Sequence, residues 1–325
     1  MDDDAAMRRA MALAASVRAS TSPNPWVGAV VRSPDGRLFE GATQPPGGPH
    51  AEAVALAAAG AAARGGTLWC TLEPCSHHGR TPPCADHVIA AGIRRVVVGV
   101  EDPDPRVAGQ GVDRLRAAGV DVAVGVLADE VEAQLRPYLK HRATGRPFVV
   151  LKLAATLDGR TAAPDGTSRW ITGEEARRDA HRLRAESDAV LVGAGTVRVD
   201  DPSLTVRLVD GPDPRRVVLG RAPEGARVHP ALELEGDLEG VLDRLGGEGV
   251  LQLMVEGGAS VAAAFHRAGL VDRYVLYLAP ALLGGDDARG LFAGPGATTI
   301  ADVWRGRITS VDRLGDDLKI VLEAP

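Results

Sequence analysis

The chain has 325 residues, of which 45% are hydrophobic and only 3% aromatic, and its formal net charge is -6 at pH 7. This length predicts about two domains, and the shortage of aromatic side chains predicts cores of Val, Leu and Ala in α/β layers. The negative charge argues against a broad electrostatic grip on nucleic acid, because such binding requires Lys and Arg side chains that neutralise phosphates.

The N-terminus and the cysteine content bear on location. The chain starts MDDDAAMRRAM, with acidic residues where a secretory signal would carry basic ones. The longest apolar run, residues 53–63, is shorter than the ~20 residues that a membrane-spanning helix needs. An odd number of cysteines, three, is typical of a reducing compartment. We therefore expect a cytoplasmic protein without a membrane segment.

The first half of the chain alternates helices and strands. An N-terminal helical pattern is followed by two short strands, WVGAVV and RLFEGA, which a turn joins. The apolar runs at 94–100 and 120–126 predict strands of a sheet that is buried on both faces. Residues 128–142 predict a closing helix, and 144–147 predict a linker. We therefore place an α/β/α layered domain at residues 1–145.

The second half, residues 146–325, restarts this alternation and predicts a second α/β domain. A helix is expected from Thr172, with Glu175 completing a capping box, and residues 197–207 are expected to form a loop. The run VEGG leads into a predicted helix whose free amides suit a phosphate, although a turn without a ligand fits the pattern equally well. A Rossmann fingerprint at Gly193 fails, because Arg198 stands at its third glycine position.

The strongest chemical signal lies between His50 and Cys84. With Cys75, these residues make a three-ligand set that leaves a tetrahedral zinc one position for water, as in catalytic sites. Glu52 fits the zinc-deaminase pattern, in which the glutamate transfers protons and is not a ligand. His50 and Cys84 each open a predicted helix, whose dipole favours a thiolate. The eight residues between the two cysteines depart from the generic Pro-Cys-x-x-Cys spacing.

Two other interpretations stay open on these residues. A purely structural zinc site requires a fourth protein ligand, for which Cys70 and His77 are candidates. A base deaminase that acts on nucleic acid requires a basic surface with stacking aromatic side chains, and the acidic balance of the chain argues against it.

The loop CSHHGRTPPC, with HAE before it, resembles the deaminase half of the bifunctional riboflavin-biosynthesis deaminase-reductase family. Segments in both halves are similar to that family: PNPWVGAVV, EDPDPRVAGQG, KLAATLDGRTA, SRWIT, GTVRVDDPSLTVR, VEGG and LAPALLGG. The resemblance covers essentially the full length. It implies a cytidine-deaminase-like α/β/α domain with zinc, followed by a dihydrofolate-reductase-like α/β domain that binds NADPH.

The resemblance implies two successive reactions on a small pyrimidine nucleotide. The first half would deaminate 2,5-diamino-6-ribosylamino-4(3H)-pyrimidinone 5′-phosphate, and the second would reduce its ribosyl group to a ribityl chain. Asn24 is expected at the ring, and His77 and Arg80 at the phosphate. Thr43 and Asp104 stand where the family often has histidine and asparagine. We also expect a homo-oligomer.

For the reductase half, the resemblance implies three groups of residues. Lys152 and Asp200 are the candidates for positioning and proton transfer. The expected substrate contacts are Ser168, Arg184, Leu204, Arg207 and Glu256. The expected dinucleotide contacts are Ala154, Trp170, Thr196, Asp200, Gly258, Ala259, Ser260, Val261, Ala262, Ala263 and Ala264. Arg221 stands where the family often has other residues, and its guanidinium is a candidate partner for the 2′-phosphate of NADPH.

Overall fold

The computed structural model describes residues 2–76, 83–105 and 107–324. The chain divides into two compact units, Met1–Gly145 and Arg146–Pro325. The division falls within the stretch 144–147, where the sequence predicts a linker. Within the described ranges, none of the helices combines the length and the apolar character required to cross a membrane.

The first unit is built on a five-stranded mixed sheet. Across the sheet its strands are β2 (Leu38–Ala42), β1 (Gly28–Arg32), β3 (Thr67–Leu72), β4 (Arg95–Val100) and β5 (Asp121–Val124). Strand β1 is antiparallel to both of its neighbours, whereas β3, β4 and β5 are parallel. The helices are α1 (Asp3–Ser16), α2 (Ala51–Ala59), α3 (Cys84–Ala90), α4 (Gln110–Ala117) and α5 (Ala128–Thr144), with short 3-10 helices at Arg18–Ser20 and Gly60–Ala63.

Helices cover both faces of this sheet. A Cβ on Gly28 would lie 1.9 Å from the Ala10 carbonyl oxygen of α1, and one on Gly41 would lie 2.2 Å from that of Ala51 in α2. Gly41 pairs with Ala29, the neighbour of Gly28, and successive residues of a strand face opposite sides of a sheet. The two close approaches are therefore on opposite faces, which gives the predicted α/β/α layering.

Strand β5 corrects one expectation about this sheet. Strand β4 is buried along almost its whole length, as predicted, but both ends of β5 are exposed and the strand covers only 121–124. Strand β5 is exposed because it is the last strand of the sheet and has a neighbour on one side only.

The second unit contains an eight-stranded sheet. Across the sheet its strands are β10 (Leu232–Leu234), β9 (Arg215–Leu219), β8 (Ala189–Gly193), β11 (Gln252–Val255), β6 (Phe148–Thr156), β12 (Arg273–Ala279), β15 (Asp317–Glu323) and β14 (Arg307–Leu314). The strands from β10 to β12 are parallel, and the C-terminal hairpin of β14 and β15 is antiparallel. Strands β7 (Arg160–Ala162) and β13 (Arg289–Gly290) pair separately. The helices are α6 (Glu174–Ala185), α7 (Ala194–Asp200), α8 (Leu238–Gly247) and α9 (Ala259–Arg267).

The core of the second unit is rich in Val and Leu, as the composition predicts, with Phe265 and Tyr274 among its few aromatic side chains. The predicted loop at 197–207 begins as the last half of helix α7. The predicted capping box is wrong. Helix α6 starts after Gly173, whose N–H donates to the Asp317 carboxylate at 2.7 Å, and Thr172 makes no side-chain cap. Asp317, 144 residues away along the chain, therefore caps the helix in place of the local side chains of Thr172 and Glu175.

This long-range cap can be tested on stability. Replacing a carboxylate that caps a helix with alanine typically costs about 0.5–2 kcal/mol, so Asp317→Ala should lower the free energy of unfolding by that amount. Asp316→Ala is the matched control, because Asp316 is an exposed neighbour in the same hairpin turn. Urea unfolding followed by circular dichroism gives both values. Equal losses in the two variants would contradict a specific cap.

Candidate functional site

Three ligand atoms meet at one point in the first unit. His50 is the extended residue that precedes helix α2, Cys84 is the first residue of α3, and Cys75 follows strand β3. Their donor atoms all lie within 4.8 Å of one another. His50 Nδ1 is 3.3 Å from the sulfur of Cys84 and 3.7 Å from that of Cys75. The predicted positions of His50 and Cys84 at helix N-termini agree with the structure.

These separations fit a zinc ion. Tetrahedral zinc with ordinary Zn–N and Zn–S bond lengths holds nitrogen and sulfur about 3.6 Å apart. The backbone N–H of Cys84 also donates to the sulfur of Cys75 at 3.3 Å, as outer-shell groups do for metal ligands. The Cys84 thiol, with help from His50, lowers the pKa of Cys75, which favours the thiolate that binds metal.

Glu52 lies beside this cluster and outside its ligand set. It belongs to the first turn of α2 and is only 3% exposed. Burial raises the pKa of its carboxyl to about 7, although the nearby His50 acts in the opposite direction. A carboxyl group with this environment exchanges protons readily near neutral pH.

Cys70, one of the two candidates for a fourth protein ligand, lies apart from the cluster. Cys70 is fully buried in β3, its sulfur faces the Val97 carbonyl oxygen at 3.8 Å, and it is not in the ligand group found among the described residues. The other candidate, His77, lies outside the described residues, as does Arg80.

A cavity of about 420 Å³ opens onto the cluster. Its wall includes His50, Glu52 and Cys75, together with the predicted contact Asn24 and the two unusual positions, Thr43 and Asp104. The Thr43 hydroxyl bonds to the backbone of Val27 and so supports the wall. Sequence reasoning missed four polar lining residues: Glu73, from the same short segment as Cys75, and Asp102, Tyr138 and Arg142, from more distant segments.

Glu73 fixes the loop that closes one side of the cavity. Its carboxylate is 4% exposed and accepts four backbone N–H groups, from Asp102, Gly109, Gly111 and Val112, at 2.8–3.2 Å. This loop, which joins β4 to α4, carries Asp102 and Asp104 to the cavity wall. Glu73 stands two residues before Cys75, so one short segment supplies both a ligand and the anchor of this loop.

In the second unit, three of the predicted residues form a largely buried charge cluster. Arg184 of α6 makes a bidentate contact with Glu256, with N–O distances of 2.8 and 3.0 Å. The Lys152 ammonium on β6 is 4.0 Å from the same carboxylate. Burial lowers the pKa of Lys152 although Glu256 opposes it. Burial tends to raise the pKa of Glu256, but the two cations outweigh it and the pKa is lowered.

Arg207 and Leu204 lie close to this cluster in the loop after α7. The backbone N–H of Arg207 donates to His181 Nδ1 at 3.0 Å, and the Arg184 guanidinium donates to the Thr205 carbonyl oxygen at 2.6 Å. Burial, with Arg184 and Arg207 adding to it, lowers the pKa of His181 to about 4, so its imidazole is a neutral acceptor. Leu204 is buried and has a positive φ of 54°.

The glycine turn after β11 leads directly into helix α9. A Cβ on Gly257 would lie 2.5 Å from the side chain of Val261, so the chain passes too close for any other residue. Gly258 precedes α9 without a side-chain cap, and its N–H donates to the Thr196 hydroxyl at 3.1 Å. Ala259 and Ser260 belong to the first turn of α9, where backbone amides have no partner within the helix and so suit an anion.

The remaining predicted contacts lie in different surroundings. Ala262 and Ala263 are at most 1% exposed, in the interior of the unit, and expose no side chain to a ligand, whereas Ala264 is partly exposed. Ala154 and Ser168 are partly exposed, and Trp170 is 71% exposed beneath the Arg177 guanidinium. Asp200 ends α7, where its carbonyl oxygen accepts from Arg169. Arg221 is exposed and pairs with Glu235 at 3.1 Å.

Comparison with known proteins places this arrangement in a family. Residues 1–100 match the model of the cytidine and deoxycytidylate deaminase zinc-binding region, and residues 147–320 match that of the RibD C-terminal domain. The chain is 40% identical to the riboflavin biosynthesis protein RibD of Escherichia coli K12, across 98% of both proteins. The chain belongs to the RibD family.

Other RibD proteins give the same result. The Mycobacterium tuberculosis protein is 43% identical over 99% of this chain and 97% of its own length. The Acinetobacter baumannii RibD structure superposes with a TM-score of 0.93 at 38% identity, over 99% of both chains. A Thermotoga maritima structure, named a diaminohydroxyphosphoribosylaminopyrimidine deaminase/5-amino-6-(5-phosphoribosylamino)uracil reductase, has a TM-score of 0.90 at 34% identity, over 99% of both chains. The predicted family and the predicted order of a deaminase fold and a reductase fold are confirmed.

The role of Glu73 generates a prediction. In Glu73→Gln an amide NH₂ replaces one oxygen and faces backbone N–H donors that it cannot satisfy. Each buried unsatisfied donor costs about 1–3 kcal/mol, so unfolding of the first unit should require about 2–4 kcal/mol less free energy. Glu101→Gln, at the exposed start of the same loop, is the control and should leave the value unchanged. Denaturant unfolding measures the free energy of unfolding of both variants. An unchanged value in Glu73→Gln would refute the role of Glu73 as the anchor of this loop.

Proposed function

We propose that the chain catalyses two successive steps of riboflavin biosynthesis on one pyrimidine nucleotide, with the residue roles given below. The substrate is 2,5-diamino-6-ribosylamino-4(3H)-pyrimidinone 5′-phosphate, which is first deaminated and then reduced at its ribosyl group. The observation that carries the first step is the three-ligand cluster at the wall of a cavity, with a buried carboxyl group beside it.

In the first unit, His50, Cys75 and Cys84 hold zinc. Zinc, when bound, makes water a nucleophile at neutral pH. Glu52 accepts a proton from the attacking water and passes protons to the ring nitrogen and to the departing amino group. A carbon–oxygen bond forms at the ring carbon that bears the 2-amino group, the carbon–nitrogen bond breaks, and ammonia leaves. Asn24 orients the ring, and His77 and Arg80 contact the phosphate.

In the second unit, NADPH supplies the hydride that reduces the anomeric carbon of the ring-opened ribosyl group. Lys152, whose pKa is lowered by burial, donates the accompanying proton, and Asp200 helps to position the reacting groups. Ser168, Leu204, Arg207 and Glu256 contact the substrate. Among the described residues, Glu256 and Thr205 accept three of the five Arg184 N–H donors, and Arg184 contacts the substrate through the other two.

The residues that would hold the dinucleotide lie at the carboxyl ends of the parallel strands. The first-turn amides of α9 and the Thr196 hydroxyl receive its phosphates, next to the Gly257-Gly258 turn. Ala154, Trp170 and Asp200 contact its other parts. Ala262, Ala263 and Ala264 take part only as the scaffold that fixes the helix start. Arg221 reads the 2′-phosphate by exchanging its partner Glu235.

The partner is a small nucleotide and not nucleic acid, the active form is a homo-oligomer, and the protein works in the cytoplasm. The deciding experiment follows the purified zinc-loaded chain with the diaminopyrimidine nucleotide by mass spectrometry. Without NADPH, oxygen should replace NH and ammonia should appear. With NADPH, the product should gain two further hydrogens. Ammonia release from RNA and none from the nucleotide would instead favour a nucleic-acid deaminase.

Replacing Glu52 separates the two activities. Glu52→Gln removes the proton carrier and keeps the volume, so ammonia release should fall by about 10²- to 10⁴-fold. Zinc content and the NADPH-dependent reduction of supplied deaminated nucleotide should persist, because Glu52 is neither a ligand nor part of the second unit. Lys152→Met is the reciprocal control and should lose reduction alone. Loss of zinc from Glu52→Gln would make the glutamate structural.

The cofactor preference tests Arg221. The guanidinium is exposed and held only by a surface ion pair, so Arg221→Ala should leave the fold intact and reduce the preference for NADPH over NADH by about tenfold, as expected for a lost charged hydrogen bond. Glu235→Ala releases the same arginine and should preserve the preference. Steady-state reductase rates with each cofactor give the ratio. An unchanged ratio in Arg221→Ala would remove this residue from the site.

A further inference from the structure

Arg142 brings a positive charge to the deaminase cavity from a distant helix. It lies in the last two turns of α5, close to the end of the first unit, and lines the same cavity as His50, Glu52 and Cys75. Its side chain is 24% exposed. Among the lining residues that the structure describes, Arg142 contributes the one guanidinium, whereas carboxyl groups come from Glu52, Glu73, Asp102 and Asp104.

The protein holds this guanidinium in place without using all of its donors. One terminal nitrogen donates to the Pro23 carbonyl oxygen at 3.3 Å, and the guanidinium carbon lies 4.9 Å from the centre of the Tyr138 ring. Tyr138 is fixed in turn, because its hydroxyl donates to Asp102 at 2.9 Å. Within residues 2–76, 83–105 and 107–324, the buried Nε of Arg142 has no hydrogen-bond partner.

The Asp104 carboxylate does not form a hydrogen bond with the Arg142 Nε. Asp104 approaches the Arg142 Nε only to 3.9 Å, which is an ion-pair distance and too long for a hydrogen bond. Guanidinium has five N–H donors in a planar fork, a geometry that matches phosphate oxygens. The arginine is therefore oriented by Tyr138 and Pro23 and keeps donors for a ligand in the cavity.

The charge balance of the cavity indicates which part of a ligand would contact Arg142. A cavity with several carboxyl groups repels a phosphate dianion unless a cation offsets them. We propose that Arg142 binds the 5′-phosphate of the pyrimidine nucleotide and so makes the deaminase selective for the nucleotide over its nucleoside. This inference rests on the proposed deaminase function.

The test compares two substrates, the diaminopyrimidine nucleotide and the same compound without its 5′-phosphate. For Arg142→Gln in the full zinc-loaded chain, KM for ammonia release from the nucleotide should rise about 10- to 100-fold, the loss expected for hydrogen bonds to a charged group. The kcat for the nucleotide, and both constants for the nucleoside, should change little. Arg142→Lys keeps the charge but loses the fork and should retain part of the selectivity.

Arg136→Gln is the matched control, because Arg136 lies on the same helix and lines a different concavity. It should keep the nucleotide selectivity of the unaltered chain. Equal losses of activity on both substrates in Arg142→Gln would mean that the arginine only supports the Pro23 and Tyr138 segments, and would overturn the proposal. So would an unchanged selectivity, which would leave the phosphate to His77 and Arg80 alone. If the unaltered chain releases no ammonia from either substrate, the deaminase function itself fails.

Discussion

The first unit depends on holding one imidazole nitrogen and two sulfurs at the spacing of a tetrahedral metal. Regular structure positions all three residues: His50 and Cys84 stand at helix starts, and Cys75 lies three residues after a buried strand. Helix α2 also carries Glu52 in its first turn. His50 and Glu52, the proposed ligand and the proposed proton carrier, are therefore fixed relative to each other by a single helical turn.

The second unit concentrates charge in a different way. Lys152, Arg184 and Glu256 are taken out of water together, and the carboxylate between two cations keeps its charge although burial opposes it. Removing one member of such a group leaves an uncompensated buried charge, which is more costly than losing a surface pair. The bidentate Arg184 contact thus sets the position of Glu256, directly before the glycine turn at which the dinucleotide would bind.

The sequence predicted those features whose residues are close together along the chain. The grouping of His50, Cys75 and Cys84 and the alternation of helices and strands followed from local motifs and from apolar periodicity. The capping of α6 by Asp317 and the edge position of β5 could not be predicted, because both depend on which strands become neighbours. The lining residues Tyr138 and Arg142 were missed for the same reason. They come from a helix predicted as a closing element, and no motif links them to His50.

Both units carry candidate site residues at the carboxyl ends of parallel strands, where α/β proteins usually bind ligands. Cys75 follows β3, the loop with Asp102 and Asp104 follows β4, and Glu256 follows β11. At this edge each strand gives way to a loop or a helix start, so polar side chains and free amides collect without disturbing the core. This explains how Thr43 and Asp104 can stand where the family often has histidine and asparagine. The scaffold fixes the positions of the polar groups, and the identity of each side chain adjusts which ligands the cavity binds. Arg142 lies on helix α5 and not at the end of a strand. A different side chain at this position can therefore change the charge of the cavity without altering the metal ligands or the sheet that holds them.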